Sequence, residues 1–249
     1  MQITYPSHHC WLVDISSGLD SCFSGRVAKK INSTLPLLAQ ADITYKIEPL
    51  HENFFDDFSP LYTDHIGAKK NALIHNIKEK TLYNETGKFP YYCLTLRERG
   101  LFLGGVIFSL RSDRVSYAYR SFINEWQEAK LKAGPALISE YAVAQFACEK
   151  GLQFISHGKD RNPYGLNAAI GLATFKMSVG CLPTIGGKFE VKTLDTSNLT
   201  QDCLILEQPK SGSSITKAYL VTLPETEDKY LRSTKYPDQL EVQVIHRNN

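Results

Sequence analysis

The sequence predicts an α/β (α+β) domain: a mixed, mostly antiparallel central sheet with helices on both faces. Three observations point there. Residues 91–97, 101–110 and 115–123 are β-rich runs separated only by Arg97-Glu-Arg-Gly100 and Arg111-Ser-Asp-Arg114. Polar linkers this short are hairpin turns, so the runs form an antiparallel meander. Apolar residues at helical spacing bracket the meander, with Phe54, Phe55, Phe58, Leu61 and Tyr62 before it and Leu137, Tyr141, Ala144 and Cys148 after it. Beyond it, strand and helix patterns alternate, as in a layered α/β arrangement.

Composition narrows the class. Hydrophobic residues make up 43% and charged residues 22% of the 249, the balance of an ordinary globular chain, which excludes collagen-like, coiled-coil and disordered readings. The length suits one large domain with an extension: residues 1–42 an N-terminal extension packing on the main domain, 43–224 the main domain, and 225–249 a tail with a possible edge strand at 240–245. With 28 basic against 26 acidic residues, no whole-chain field draws the protein to nucleic acid. The six cysteines show no C-x-x-C spacing and several sit in apolar segments, so they read as reduced, buried thiols rather than a zinc site or disulfide framework. No apolar run reaches the roughly 18–20 residues of a membrane span, and the start MQITYPSHHCWLVD lacks a signal-peptide pattern, so a cytoplasmic address is expected.

Taken in order, residues 10–15 suggest a strand, and a helix begins at Gly25 and is confined by Pro36. Alternation from Ile43 to Ile47 marks a half-buried strand closed by Pro49. Two helical stretches follow, near residues 54–62 and 73–82, and then the meander. After a polar loop at 124–133, the helix carrying Leu137, Tyr141, Ala144 and Cys148 as its stripe ends at Gly151. A short strand at 152–157, a turn marked by Pro163 and Gly165, and a helix at 168–179 stopped by Gly180 come next, with Leu172, Phe175 and Val179 as the expected buried face. Candidate strands at 188–194, 203–206 and 218–223 complete the pattern.

From Ile43 the order is strand, two helices, three meandering strands, helix, strand, helix and further strands. Within it stand Phe146-Ala-Cys-Glu-Lys-Gly-Leu-Gln-Phe-Ile-Ser-His-Gly158 and Thr174-Phe-Lys-Met-Ser-Val-Gly180, followed by Pro183. This pairing resembles the GNAT acyltransferase superfamily, on the branch holding Fem-type aminoacyl-tRNA-dependent transferases and their single-domain acetyltransferase-like relatives, over about residues 43–195. The resemblance implies a sheet that splays open to hold a donor arm, and transfer of an acyl group to a small amine. It implies a thioester donor, acyl-CoA or an acyl carrier protein, as co-substrate without a tightly bound cofactor. The alternatives it leaves are an aminoacyl-tRNA donor and a non-catalytic binding protein that kept the fold. Most GNAT members carry a Gln/Arg-x-x-Gly-x-Gly/Ala loop that wraps the cofactor pyrophosphate; this chain has Lys130-Leu-Lys-Ala-Gly-Pro135 there. Fem-type enzymes usually carry two such domains, and this chain has room for one.

Acyl transfer needs a neutral amine, a donor to the forming oxyanion and a proton for the leaving group. Lys176 stands where the resembling enzymes hold a lysine facing the donor, and its ammonium can stabilise an oxyanion or a phosphate; a surface lysine is the plain alternative. His157 can accept the amine proton, or simply hydrogen-bond at a strand end. Tyr117 and Tyr119 fall on one face of a regular strand, so Tyr119 can protonate the leaving group and Tyr117 contact substrate, unless both only pack. Lys130, Lys132, Ala133 and Gly134, feeding a helix N-terminus at Pro135, form the expected phosphate cradle, with Phe175 beside the donor. Lys159, Asp160, Arg161 and Tyr164 occupy the expected turn, where Lys159, Asp160 and Tyr164 can read the acceptor. Glu140 and Glu149 are expected to face solvent. No metal is expected.

Overall fold

The computed structural model describes residues 1–6, 8–19, 22–23, 25–68, 73–83, 89–161, 170–185, 191–195, 199, 202–233 and 236–247. In chain order the strands and helices are β1 (Gln2–Pro6), β2 (His8–Asp14), α1 (Gly25–Thr34), β3 (Ile43–Pro49), α2 (Phe54–Gly67), α3 (Ile77–Thr81), β4 (Tyr91–Glu98), β5 (Leu101–Leu110) and β6 (Arg114–Phe122). There follow α4 (Pro135–Glu149), β7 (Phe154–Arg161), α5 (Ile170–Ser178), β8 (Leu182–Thr184), β9 (Val191–Asp195), β10 (Cys203–Leu206), β11 (Lys217–Thr222), α6 (Pro224–Ser233) and β12 (Glu241–His246). The chain divides into two compact units: Ile15–Ser21 with Gly25–Ile155, here the meander unit, and Met1–Asp14 with Cys22–Ser24 and Ser156–Asn249, here the second unit.

In the meander unit β3, β4, β5 and β6 pair antiparallel in sequence order, as the short linkers require. Arg99 and Gly100 both take positive φ, 50° and 78°, which makes the β4–β5 link a two-residue hairpin whose twist matches that of its strands. Phe54, Phe55, Phe58 and Tyr62 of α2 pack on Cys93 and Ile107. Phe146 of α4 meets the neighbouring positions Tyr92 and Phe108 instead, at 5.6 and 5.8 Å between ring centroids. Side chains alternate along a strand, so the two helices cover opposite faces of the meander.

The stripe expected on α4 is not its packed face. Of Leu137, Tyr141, Ala144 and Cys148 only Ala144 is buried, while Ile138, Ala142, Val143 and Ala147 are buried with it. The helix is apolar around most of its circumference, so spacing alone cannot choose a side. The same holds in part for α5, where Leu172 is exposed and Phe175 half-buried, although Val179 just past the helix is buried as expected, and Ile170, Ala173, Lys176 and Met177 turn inward.

In the second unit β7, β2 and β8 are neighbours in that order, β2 and β8 antiparallel with Trp11 opposite Pro183. β1 pairs antiparallel with β9 and β10 with β11. β11 and β12 are parallel, which demands a crossover between them, and α6 supplies it. The C-terminal segment thus carries a helix besides the expected strand. Ile3, Tyr5, Cys203, Ile205, Tyr219 and Val221 form the core shared by β1, β10 and β11. Strand β7 outlasts its expected span. Gly158, at φ 83°, bends it rather than ending it, so Lys159, Asp160 and Arg161 stand on the strand instead of in a turn.

Gly104 on β5 takes φ 145°, and a Cβ there would lie 2.4 Å from the Ser121 carbonyl oxygen of β6. Backbone cannot yield locally at that contact. Gly104→Ala is expected to destabilise the chain by about 2–4 kcal/mol in a urea melt, combining strain with a steric clash.

Candidate active site

Strand β6 carries one extra residue. Ile107 pairs with Tyr119 and Phe108 with Tyr117, so a single step on β5 spans two on β6 and Ala118 bulges. The regular alternation that would put Tyr117 and Tyr119 on one face is therefore broken, and the two tyrosines face opposite ways. Tyr119 joins the α2 side, its ring 5.7 Å from that of Tyr62 and 6.2 Å from that of His75. Burial, with Tyr62 and Tyr91 nearby, raises its pKa above the usual phenol value, so at neutral pH its hydroxyl is a proton donor. On the same side His65 Nδ1 lies 3.1 Å from Ser121 Oγ, which donates to the Leu61 carbonyl.

Tyr117 faces α4 and donates to Glu140 Oε2 at 2.8 Å, while Arg120 Nη1 pairs with Glu140 Oε1 at 2.5 Å. Glu140, expected to be solvent-exposed, is only 4% exposed. A carboxylate survives that burial because an arginine and a phenol meet it; Glu149, at the far end of the helix, is exposed as expected. No spacing rule pairs Tyr117 and Arg120 with Glu140, because the bulge alone brings both residues to this face.

The expected phosphate cradle lies on the loop before α4, where the Ala133 amide and the three amides just ahead of Lys130 are engaged within the protein. The backbone N–H groups of Gln127, Glu128 and Ala129 all donate to the carboxylate of Glu98, at 2.7, 3.3 and 2.8 Å. Ala133, fully buried, donates its N–H to Thr34 Oγ1 at 3.0 Å and its carbonyl accepts from Trp126 Nε1 at 2.8 Å. Gly134 precedes α4 and Pro135, its first residue, has no N–H to offer. Lys130 and Lys132 are exposed on this loop.

In the second unit Lys176 is 4% exposed, on the inner side of α5. Its Nζ sits 5.8 Å from the centre of the Trp11 ring, within range of a cation–π contact. Trp11 is itself 1% exposed on β2 and meets the His9 ring edge-on at 5.1 Å. A buried ammonium needs such partners, so Lys176 is not a surface lysine. The tryptophan beneath it carried no signal in the sequence. Phe175, next to it, is half-buried on another side of α5. His157 is 8% exposed on β7 and Lys159, two residues on, is exposed. Asp160 follows on the same strand, and Tyr164 lies outside the described residues.

Sequence comparison finds no family model and no curated protein that matches this chain. Comparison of folds does. FemX overlays with a TM-score of 0.51 at 15% identity, covering 70% of this chain and 59% of FemX. The C-terminal domain of a putative lysylphosphatidylglycerol synthetase from Agrobacterium fabrum gives 0.48 at 15% identity, covering 77% of this chain and 60% of that one. An aminoglycoside acetyltransferase from an uncultured soil sample gives 0.34 at 19% identity, covering 54% and 86%. This chain therefore spans about three fifths of the length of FemX. Its fold is the mixed α/β fold of the GNAT type. The fold shared with FemX agrees with the strand and helix order read from Ile43 onward.

Two substitutions test these polar contacts. Glu140→Ala leaves Arg120 facing an apolar helix, and a loss of about 2–3 kcal/mol is expected by urea denaturation, below the ~3–5 kcal/mol of a fully buried pair because the Arg120 side chain is 28% accessible. Glu98→Gln halves the acceptor capacity offered to the loop; hydrogen exchange at the amides of 127–129 should accelerate at least about tenfold, with about 1–3 kcal/mol lost locally.

Proposed function

We propose that this chain is an acyltransferase acting on an amine, and that its donor is an aminoacyl-tRNA. The observation that carries the choice of donor is the commitment of the loop amides before α4. A pyrophosphate wrapped in the GNAT manner draws on backbone N–H groups at that place. Here Glu98 takes the three amides just ahead of Lys130–Gly134, Thr34 takes that of Ala133, and Pro135 lacks one. An aminoacyl ester presents its carbonyl on a terminal adenosine and needs no pyrophosphate grip.

In this reading the amine attacks the ester carbonyl, the carbonyl π electrons move to oxygen, and the Lys176 ammonium stabilises the oxyanion. His157 accepts the proton the amine loses, directly or through water. Collapse expels the ribose oxygen, which takes its proton from solvent. A buried cation already held by an aromatic ring suits the oxyanion role, since it does not have to be desolvated and positioned during the reaction.

A thioester donor, acyl-CoA or acyl carrier protein, is the second reading. Its support is the exposure of Lys130 and Lys132 beside the start of α4, where the two ammonium groups can contact phosphate with side chains alone.

The test compares donors. Aminoacyl-tRNA should raise the melting temperature and support transfer of a labelled aminoacyl group to an amine, and acetyl-CoA should do neither. Lys176→Met, which keeps the packing volume, should cut transfer about 10²–10³-fold without unfolding the chain. Stabilisation by acetyl-CoA alone moves the assignment to the thioester reading. Binding without transfer from either donor moves it to a non-catalytic binding protein.

A further inference from the structure

Glu48 and Cys93 are direct cross-strand partners in β3 and β4, so their side chains rise from the same face of the meander. Pro49 ends β3, yet the chain stays docked because the Leu50 N–H bonds the Tyr91 carbonyl at 2.9 Å. That anchored turn returns His51 over the pair. One donor atom from each of Glu48, His51 and Cys93 lies within 4.8 Å of the others, and among the described residues no other three such side chains converge this way.

We propose that these three residues form a binding site for a borderline-soft divalent ion of the Zn²⁺ class. Thiolate, imidazole and carboxylate together are a zinc donor set; magnesium and calcium take oxygen and do not select sulfur. Tetrahedral zinc holds its donors about 3.5 Å apart, given bonds of roughly 2.0–2.3 Å. Closing the cluster therefore takes about an ångström of side-chain movement. Cys93 is fully buried and fixed, while the Glu48 and His51 side chains are 26% and 44% accessible and free to rotate inward. The charges close as well, because a dication balances one carboxylate and one thiolate.

Without an ion Cys93 is a thiol, its pKa pushed up to about 12 by burial and by the Glu48 carboxylate. Forming the metal–sulfur bond sends the thiol proton to solvent, and the cation replaces it beside Glu48. Glu48 now pairs with Lys46 Nζ at 2.6 Å and with His51 Nε2 at 3.4 Å, and it exchanges these contacts for the ion. The way in is a cleft of about 580 Å³ that both Glu48 and His51 line, together with Thr44, Asn53 and Thr95. The fourth coordination position faces that cleft and is left to water or to an oxygen ligand.

The experiment titrates chelator-treated full-length chain with Co²⁺, whose spectrum reports its ligands. One ion per chain should give an intense tetrahedral visible spectrum with a near-ultraviolet thiolate-to-cobalt band, both abolished by Zn²⁺. Cys93→Ser should lose the thiolate band. His51→Gln, at a half-exposed position where folding is not at risk, should weaken Co²⁺ binding by at least about tenfold, the loss met even when an outer-shell partner is removed. Cys148→Ser should leave the spectrum unchanged. A weak octahedral spectrum from the native chain, or an unaltered affinity in His51→Gln, overturns the proposal.

Discussion

One extra residue in β6 decides how the meander presents its chemistry. Because Ala118 bulges, Tyr119 turns toward α2 while Tyr117 and Arg120 turn toward α4. Without the bulge the phase of the strand beyond it would reverse, Arg120 would point into the aromatic cluster of α2, and Glu140 would be left buried without its arginine. A bulge also bends its strand and increases its twist. Tyr117 and Arg120 of β6 thus hydrogen-bond toward α4, while Tyr119 joins the aromatic residues of α2.

Buried charge recurs in the structure under a single rule: each charge is met by groups that replace water. Glu98 is met by three backbone N–H groups, Glu140 by a guanidinium and a phenol, and Lys176 by the face of Trp11. The first of these has the widest effect. By taking the amides of residues 127–129, Glu98 fixes the loop before α4 from within, just ahead of Lys130 and Lys132. Glu98 thus serves the architecture of the loop, and Lys130 and Lys132 stand exposed on it.

Much of the scaffold was legible in the residues. The hairpin at Arg99-Gly100 follows from linker length, and α2 follows from the spacing of Phe54, Phe55, Phe58 and Tyr62. Helix faces were less legible where helices are apolar around most of their circumference, as α4 and α5 are, because a period gives a direction only when a continuous run of polar residues marks the other side. Short or edge elements such as β1 and β8 carry too few residues for any pattern to emerge. The exposure of Glu140 was misjudged for a different reason. A lone glutamate on a helix is normally solvated, and its partners come from a strand about twenty residues earlier.

The sequence by itself determined which segments are strands and helices in the meander, and placed a lysine on the helix before Gly180, since these depend on local periodicity and on turn geometry. Only the tertiary structure decided that Lys176 is buried against Trp11, that Tyr117 and Tyr119 part company, and that Glu48, His51 and Cys93 converge. Those facts depend on strand register and on which helix face meets the sheet. Both are set by pairing between residues far apart in the chain, which no local pattern encodes.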